Sequence, residues 1–273
     1  TSPVELTVNT GKLVRMNRLF TPPSGRLCSI AVDHFIGYDE RLPQGIRHVA
    51  RTLAAVMAAQ PDAVTMHKGI AASAWAPYAG QVPLIIQSTL MRTREPLGQQ
   101  AATAEDAVRL GADALAVAAY VHCPAEVDNL RRVAQCVAEA ARFELPVICH
   151  IYPLEPGPNG LKVSFAPEDI AWAAHCAVEM GVDIVKVPYC GDVASYSEIV
   201  ADATVPVVAA GGPQASTLEA ALAMMADVVA AGARGATIGR NVWGVPNITG
   251  AVRAFKAVIH DGLSAQEALR LAS

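Results

Sequence analysis

Eight short apolar runs recur along the chain, nearly all separated by longer segments of helical period, and this alternation narrows the fold more than any other feature. The runs cover residues 27–32, 63–66, 83–87, 114–118, 147–151, 184–187, 205–209 and 236–238. Helical patterns fill 46–59, 103–110, 125–143, 167–180, 196–201, 216–231 and 248–260; only the stretch around 71–80, between the second and third runs, has no clear one. Strand, helix and strand in repeated order imply parallel pairing with right-handed crossovers. Count, even spacing and the lack of a Gly-x-Gly-x-x-Gly after the first run favour a closed (β/α)8 TIM barrel over a doubly wound sheet. Length agrees, since 273 residues suit one such domain spanning 1–273, with no linker or low-complexity tract. Residues 11–20 are expected to cap the barrel bottom, and 265–271 to form a short terminal helix.

Local signals mark the element ends. Gly111, Gly181 and Gly232 each follow a helical segment, where a left-handed residue closes the last turn before the next strand. Thr103 with Asp106 reads as a capping-box variant, and Pro124 and Pro167 as first-turn prolines. Hydrophobic residues make up 52% of the chain and charged ones 17%, which suits a large interior. The formal charge of -4 gives no electrostatic reason to expect nucleic acid or an anionic membrane. Six cysteines without a C-x-x-C pair read as small buried hydrophobes in a reducing compartment. Neither a signal-peptide pattern nor an uncharged apolar run of about 18 residues occurs, so a soluble cytoplasmic protein is expected.

In such a barrel the chemistry gathers at the carboxyl ends of the strands. Lys186 lies in the sixth strand with the parity of Ile184, so both should face inward, where burial lowers a lysine pKa toward neutrality. A partly neutral amine can attack a carbonyl to form a Schiff base; a structural lysine paired with Asp33 is the plainer reading. Asp33 ends the first strand, where it could orient a hydroxyl, shuttle protons or merely cap the loop. Tyr152 could act as acid or base, or simply pack. His34, His67 and His150 lack metal-motif spacing and an acidic cluster, so no metal site is expected. Lys68 could lower the pKa of Lys186, contact substrate or face solvent. Gly211-Gly212 and Gly239-Arg240 close the last two strands, where backbone N–H groups and a guanidinium could hold a phosphate.

In this order and at fitting spacing stand Val32-Asp33-His34, His67-Lys68-Gly69-Ile70, Tyr152-Pro153, Lys186 to Asp192, Ala210-Gly211-Gly212-Pro213 and Gly239-Arg240-Asn241. Over residues 25–260 the chain resembles the DeoC/archaeal-type class I fructose-bisphosphate aldolases. That group includes aminodideoxyheptulosonate synthases and a thiolase of phosphorylated autoinducer-2. The resemblance implies Lys186 as the Schiff-base lysine, Tyr152 as the proton-shuttling tyrosine, and Asp33 with His34 beside it. It puts phosphate-binding backbone at Gly211-Gly212 and Gly239-Arg240, and implies a homo-oligomer, decamers being known in the group.

Departures bear on the substrate. Where the bisphosphate aldolases have Trp-x-Tyr-Pro-Arg-Gly, this chain has His150-Ile-Tyr-Pro-Leu154-Glu155, which weakens the case for a second phosphate. Phe35 replaces a glycine after Asp-His, while His67 to Ile70 looks closer to the heptulosonate synthases. Tyr152 argues against the thiolase branch. The reading is a class I aldolase, a lyase or transaldolase-like enzyme acting on a phosphorylated ketose or related keto compound. Lys68 and His150 are candidate substrate contacts. No cofactor is expected, because the protonated imine is itself the electron sink. Thiolase-type acyl transfer and a non-catalytic barrel binding a phosphorylated metabolite are the alternatives.

Overall fold

The computed structural model describes residues 9–34 and 43–272. Eight parallel strands close into a barrel: β1 (Leu27–Ala31), β2 (Ala63–His67), β3 (Leu84–Gln87), β6 (Ala114–Val121), β7 (Val147–Gly157), β9 (Ile184–Val187), β10 (Val207–Ala210) and β11 (Gly235–Ile238). Each pairs with the next in that order, β6 pairs with β7, and β11 returns to β1. The intervening numbers belong to two antiparallel hairpins, β4 (Thr89–Arg92) with β5 (Glu95–Gln100), and the extended end of β7 with β8 (Gly160–Val163).

Helices cover the outside: α2 (Val49–Met57), α3 (Lys68–Ala74), α4 (Ala104–Arg109), α5 (Glu126–Ala141), α6 (Pro167–Glu179), α7 (Val193–Asp202), α8 (Leu218–Ala230) and α10 (Ile248–Lys256). Before them comes α1 (Thr10–Leu19); a four-residue α9 (Arg240–Trp243) follows β11, and α11 (Ala265–Leu269) stands near the end. Gly111, Gly181 and Gly232 have φ of +74°, +82° and +90°, the left-handed backbone expected where each helix ends. The Thr103–Asp106 capping box forms in both directions, and Pro167 opens α6. Pro124 does not open a helix, because α5 begins two residues later at Glu126.

The interior at the amino-terminal end is filled by Leu27, Ala63, Ile85, Ala114, Ala116, Ile148, Ile184 and Val208, with Leu19 of α1 fully buried against them. Residues 11–20 thus form the bottom plug that the sequence suggests. Lys12 pairs with Asp183 at 2.9 Å and Arg18 with Asp113 at 3.0 Å. Asp183 also accepts the Val147 N–H at 2.8 Å, so the aspartates after two of the helix-closing glycines anchor the plug. A larger apolar layer lies between the strands and the outer helices.

Two expectations need correction. The stretch after β2 carries α3 and a short 3-10 turn at Ala76–Tyr78, where the sequence suggests no helix. Its seven residues include Gly69 and precede Pro77, too short a run to show helical period. The two hairpins add antiparallel pairing that the strand–helix alternation does not reveal. No helix among the described residues is long and apolar enough to cross a membrane.

Candidate active site

At the carboxyl end of the barrel, β7 and β9 lie side by side with His150 and Lys186 as register partners. Both share the parity of interior residues Ile148 and Ile184, so both side chains point inward. Lys186 is 6% exposed and His150 4%. Burial, with a smaller push from the Arg240 charge, brings the Lys186 ammonium down to about 8 against the opposing attraction of Asp33. Burial also holds the His150 imidazole well below its ordinary value; Lys186 and His34 add to this, and Asp33 opposes it. At pH 7, therefore, about one-tenth of Lys186 is a neutral amine, against roughly 0.03% for a lysine at 10.5. That is a nucleophile held beside an uncharged imidazole.

Asp33 follows β1 into the same space. Burial alone would raise its pKa. The hydrogen bond and charge of His34, with the charges of His67 and Lys186, outweigh burial and hold the carboxyl below the usual carboxylate range. His34 Nδ1 lies 3.1 Å from Asp33 Oδ1. The His34 ring meets Trp243 edge-on at 5.2 Å, and Trp243 donates its indole N–H to the Ala31 carbonyl at 3.1 Å. Tyr152 stands two residues beyond His150 on the same face of β7, half-buried, its ring 6.2 Å from that of Tyr120.

The two glycine loops are built by close backbone approach. A Cβ on Gly211 would lie 2.8 Å from the Ile238 Cα, and one on Gly239 2.7 Å from His34 Nε2. Gly239 thus makes room for the imidazole that contacts Asp33. Gly211 departs from the expectation of a phosphate-binding N–H, because its N–H donates to the Thr237 carbonyl at 3.0 Å. Gly212 turns the chain at φ +71°, and Arg240 donates to its carbonyl at 2.9 Å, tying one loop to the other.

Lys68 points elsewhere. It opens α3 at the outer edge and pairs with Asp106 at 2.9 Å, with nearly half its side chain in solvent. The cation that lowers the pKa of Lys186 is Arg240, so the alternatives left for Lys68 are a solvent-facing cap or a contact made after it leaves Asp106. Leu154 is buried and pairs with Val163 in the β7–β8 hairpin. Phe35 lies outside the described residues. Among the described residues no group of three or more His, Cys, Asp and Glu is arranged to hold a metal.

Asn241 stands in the sequence as the end of the Gly239-Arg240-Asn241 motif, with no role assigned to its side chain. It is 4% exposed; its amide donates to the carbonyls of Gly211 at 2.7 Å and Pro213 at 3.0 Å and accepts the Ala215 N–H at 2.8 Å. Three of the backbone groups of the β10 loop are therefore held by one side chain, beside the Gly212 carbonyl that Arg240 holds. The available signal was its place directly after Gly239-Arg240, in the turn and short helix that follow the last strand.

Comparison with known proteins agrees with this geometry. The chain is 32% identical over 262 residues to a class 1 fructose-bisphosphate aldolase of Thermoproteus tenax, covering 90% of this chain and 94% of that one. It is 31% identical over 264 residues to a 2-amino-3,7-dideoxy-D-threo-hept-6-ulosonate synthase of Halobacterium salinarum, covering 96% of each. An archaeal fructose-1,6-bisphosphate aldolase, solved with its catalytic lysine covalently bound to the carbinolamine intermediate, superposes with a TM-score of 0.80 at 30% identity. That match covers 91% of this chain and 99% of that one. Residues 28–244, from β1 to the far end of the Arg240 helix, match the model of the DeoC/LacD family aldolases, and the chain belongs to that family.

Proposed function

We propose that the protein is a class I aldolase that forms a Schiff base on Lys186 with a phosphorylated ketose or a related keto compound. The observation that carries this reading is the buried Lys186, its pKa brought to about 8, register-paired with His150 and influenced by Asp33. The neutral amine attacks the substrate carbonyl, and Asp33 and Tyr152 move the protons that let water leave. As the carbon–carbon bond breaks, Tyr152 takes the proton of the hydroxyl on the departing half, which leaves as an aldehyde, and the iminium accepts the electron pair of the bond to become an enamine. Gly212, Gly239 and Arg240 hold the donor phosphate; His34 orients Asp33. The buried, apolar Leu154 supports a substrate with one phosphate rather than two. A homo-oligomer, decameric by the resemblance, belongs to the same proposal, and the exposed Val127, Phe165 and Trp172 leave apolar surface for it. The relatives named above are aldolases and a synthase, which lends no support to acyl transfer or to a binding-only role.

The test is borohydride trapping with dihydroxyacetone phosphate, fructose 1,6-bisphosphate and related ketose phosphates, read by peptide mass spectrometry. A reduced adduct on Lys186 is expected, its rate of formation rising through pH 8 as the ammonium deprotonates and then levelling. An adduct on another lysine would move the nucleophile. No adduct with any ketone, in folded protein, would end the aldolase reading.

Tyr152→Phe separates the two halves of the mechanism. Turnover should fall by about 10²–10⁴-fold, while the Lys186 adduct with dihydroxyacetone phosphate still forms, more slowly, with Asp33 left to move the protons of water loss. Wild-type turnover in this variant would remove Tyr152 from the proton path.

A further inference from the structure

Gln87 is a buried side chain at the mouth of the barrel that the mechanism leaves unused. It ends β3 with the parity of Ile85, an interior residue, and so faces into the barrel; it is 4% exposed. Its amide nitrogen donates to the Thr89 carbonyl at 3.2 Å and to Thr89 Oγ1 at 3.1 Å. A carbonyl can only accept, so this contact fixes which end of the amide faces Thr89 and turns the oxygen away. That oxygen, Oε1, is buried and has no hydrogen-bond partner among the described residues. A buried acceptor left unpaired costs free energy, which a bound donor would recover.

Barrel order says which part of a substrate could reach it. Counting round the barrel, β3 is the third strand, β9 with Lys186 the sixth and β10 the seventh, so β3 stands opposite the Gly211-Gly212 loop. The register partner of Gln87 is His67, whose charge acts on Asp33, so the ends of β2 and β3 flank the proton-handling side of the site. A keto substrate with its phosphate at the β10 and β11 loops and its carbonyl at Lys186 would carry its far half across the mouth, where the end of β3 lies opposite the β10 loop.

We propose that Gln87 Oε1 accepts a hydrogen bond from a hydroxyl of that far half, the part released or taken up as an aldehyde, and so selects hydroxylated aldehydes over their deoxy analogues. The inference rests on the aldolase reading. Removing the acceptor erases the distinction, since an aliphatic side chain offers a hydroxyl no better partner than a methyl group.

The experiment condenses dihydroxyacetone phosphate with either glyceraldehyde or propanal and takes the ratio of their kcat/KM values. Wild-type protein should favour glyceraldehyde, and Gln87→Met should reduce the ratio by about tenfold or more. Because each ratio comes from one preparation, loss of folded protein cancels. Trapping of dihydroxyacetone phosphate on Lys186 should be equal in wild type and Gln87→Met. An unchanged ratio in Gln87→Met with trapping intact would overturn the proposal, as would a wild type that does not distinguish the two aldehydes. Trapping lost only in the variant would place Gln87 on the donor side and overturn it as well. No adduct in the wild type would instead sink the aldolase reading beneath it.

Discussion

Lys186→Met is expected to lose turnover by about 10⁴-fold or more while the folded protein becomes more stable. The first effect follows from the chemistry, since no other group identified in the mouth can form the iminium that accepts the electron pair. The second follows from the same burial that activates the amine. A lysine whose folded pKa is about 8 against an ordinary 10.5 destabilises the fold wherever the unfolded form is still protonated. The sign is fixed by proton binding. The penalty is full below pH 8, fades as pH rises from 8 to 10.5, because there the unfolded chain binds more protons, and is absent above. At pH 7 a shift of that size corresponds to roughly 3 kcal/mol, and loss of the attraction between Lys186 and Asp33 is already included in it. A volume-matched methionine should recover about 1–3 kcal/mol of this, leaving Asp33 with His34 and His67. Urea unfolding at pH 7 and pH 10 checks it: the gain should be present at 7 and mostly gone at 10. A variant less stable than wild type at pH 7 would show that the lysine is a structural ion-pair partner first.

Asn241→Ala should cost about 3 kcal/mol of stability and raise the KM for a phosphorylated substrate more than it lowers kcat. The substitution leaves the Gly211 and Pro213 carbonyls without a donor and the Ala215 N–H without an acceptor, all beside a buried side chain. Gly212, whose carbonyl Arg240 holds, lies between them, so the loop proposed to carry phosphate loses its anchor on one side. Asn241→Asp gives a sharper contrast. It keeps the acceptor for Ala215 but sets a carboxylate against two carbonyl oxygens, and should be at least as damaging as alanine. Thermal unfolding and steady-state kinetics together decide the matter. A large stability loss with an unchanged KM would detach the loop from substrate binding.

The two predictions differ in how visible their residues are in sequence. Lys186 stands out because a charge inside Val-Asp-Ile-Val-Lys-Val is anomalous, and strand parity with Ile184 says which way it points. Asn241 and Gln87 carry no such anomaly, since a polar residue at or just beyond a strand end is ordinary until its partners are known. The eight strands were legible because each is a short apolar run between helical segments, and the positive φ of Gly111, Gly181 and Gly232 followed from their place after a helix. The β4–β5 hairpin was not, because Glu95-Pro-Leu-Gly-Gln-Gln shows neither alternation nor a strand composition. It is held by Asn129 of α5, whose amide donates to the carbonyls of Pro96 and Tyr120 and accepts the Gly98 N–H. Those partners all precede it in the chain, the hairpin ones by 33 and 31 residues and Tyr120 by nine, beyond the reach of any local pattern.

Sequence alone determined the barrel, the inward lysine, the place of Asp33 and Tyr152 at strand ends, and the family. All but the last depend on periodicity, parity and spacing, which are properties of neighbouring residues along one chain; the family came from the resemblance of the motifs at the strand ends. Only the tertiary structure decided that Lys68 turns out to Asp106, that the Gly211 N–H is taken by Thr237, that Gly239 is bare so that His34 can lie over it, and that Arg240, not Lys68, is the cation acting on Lys186. Each of these depends on which distant strand end lies within a few ångströms. That distance is set by barrel closure and stagger, and no local window of the sequence contains it.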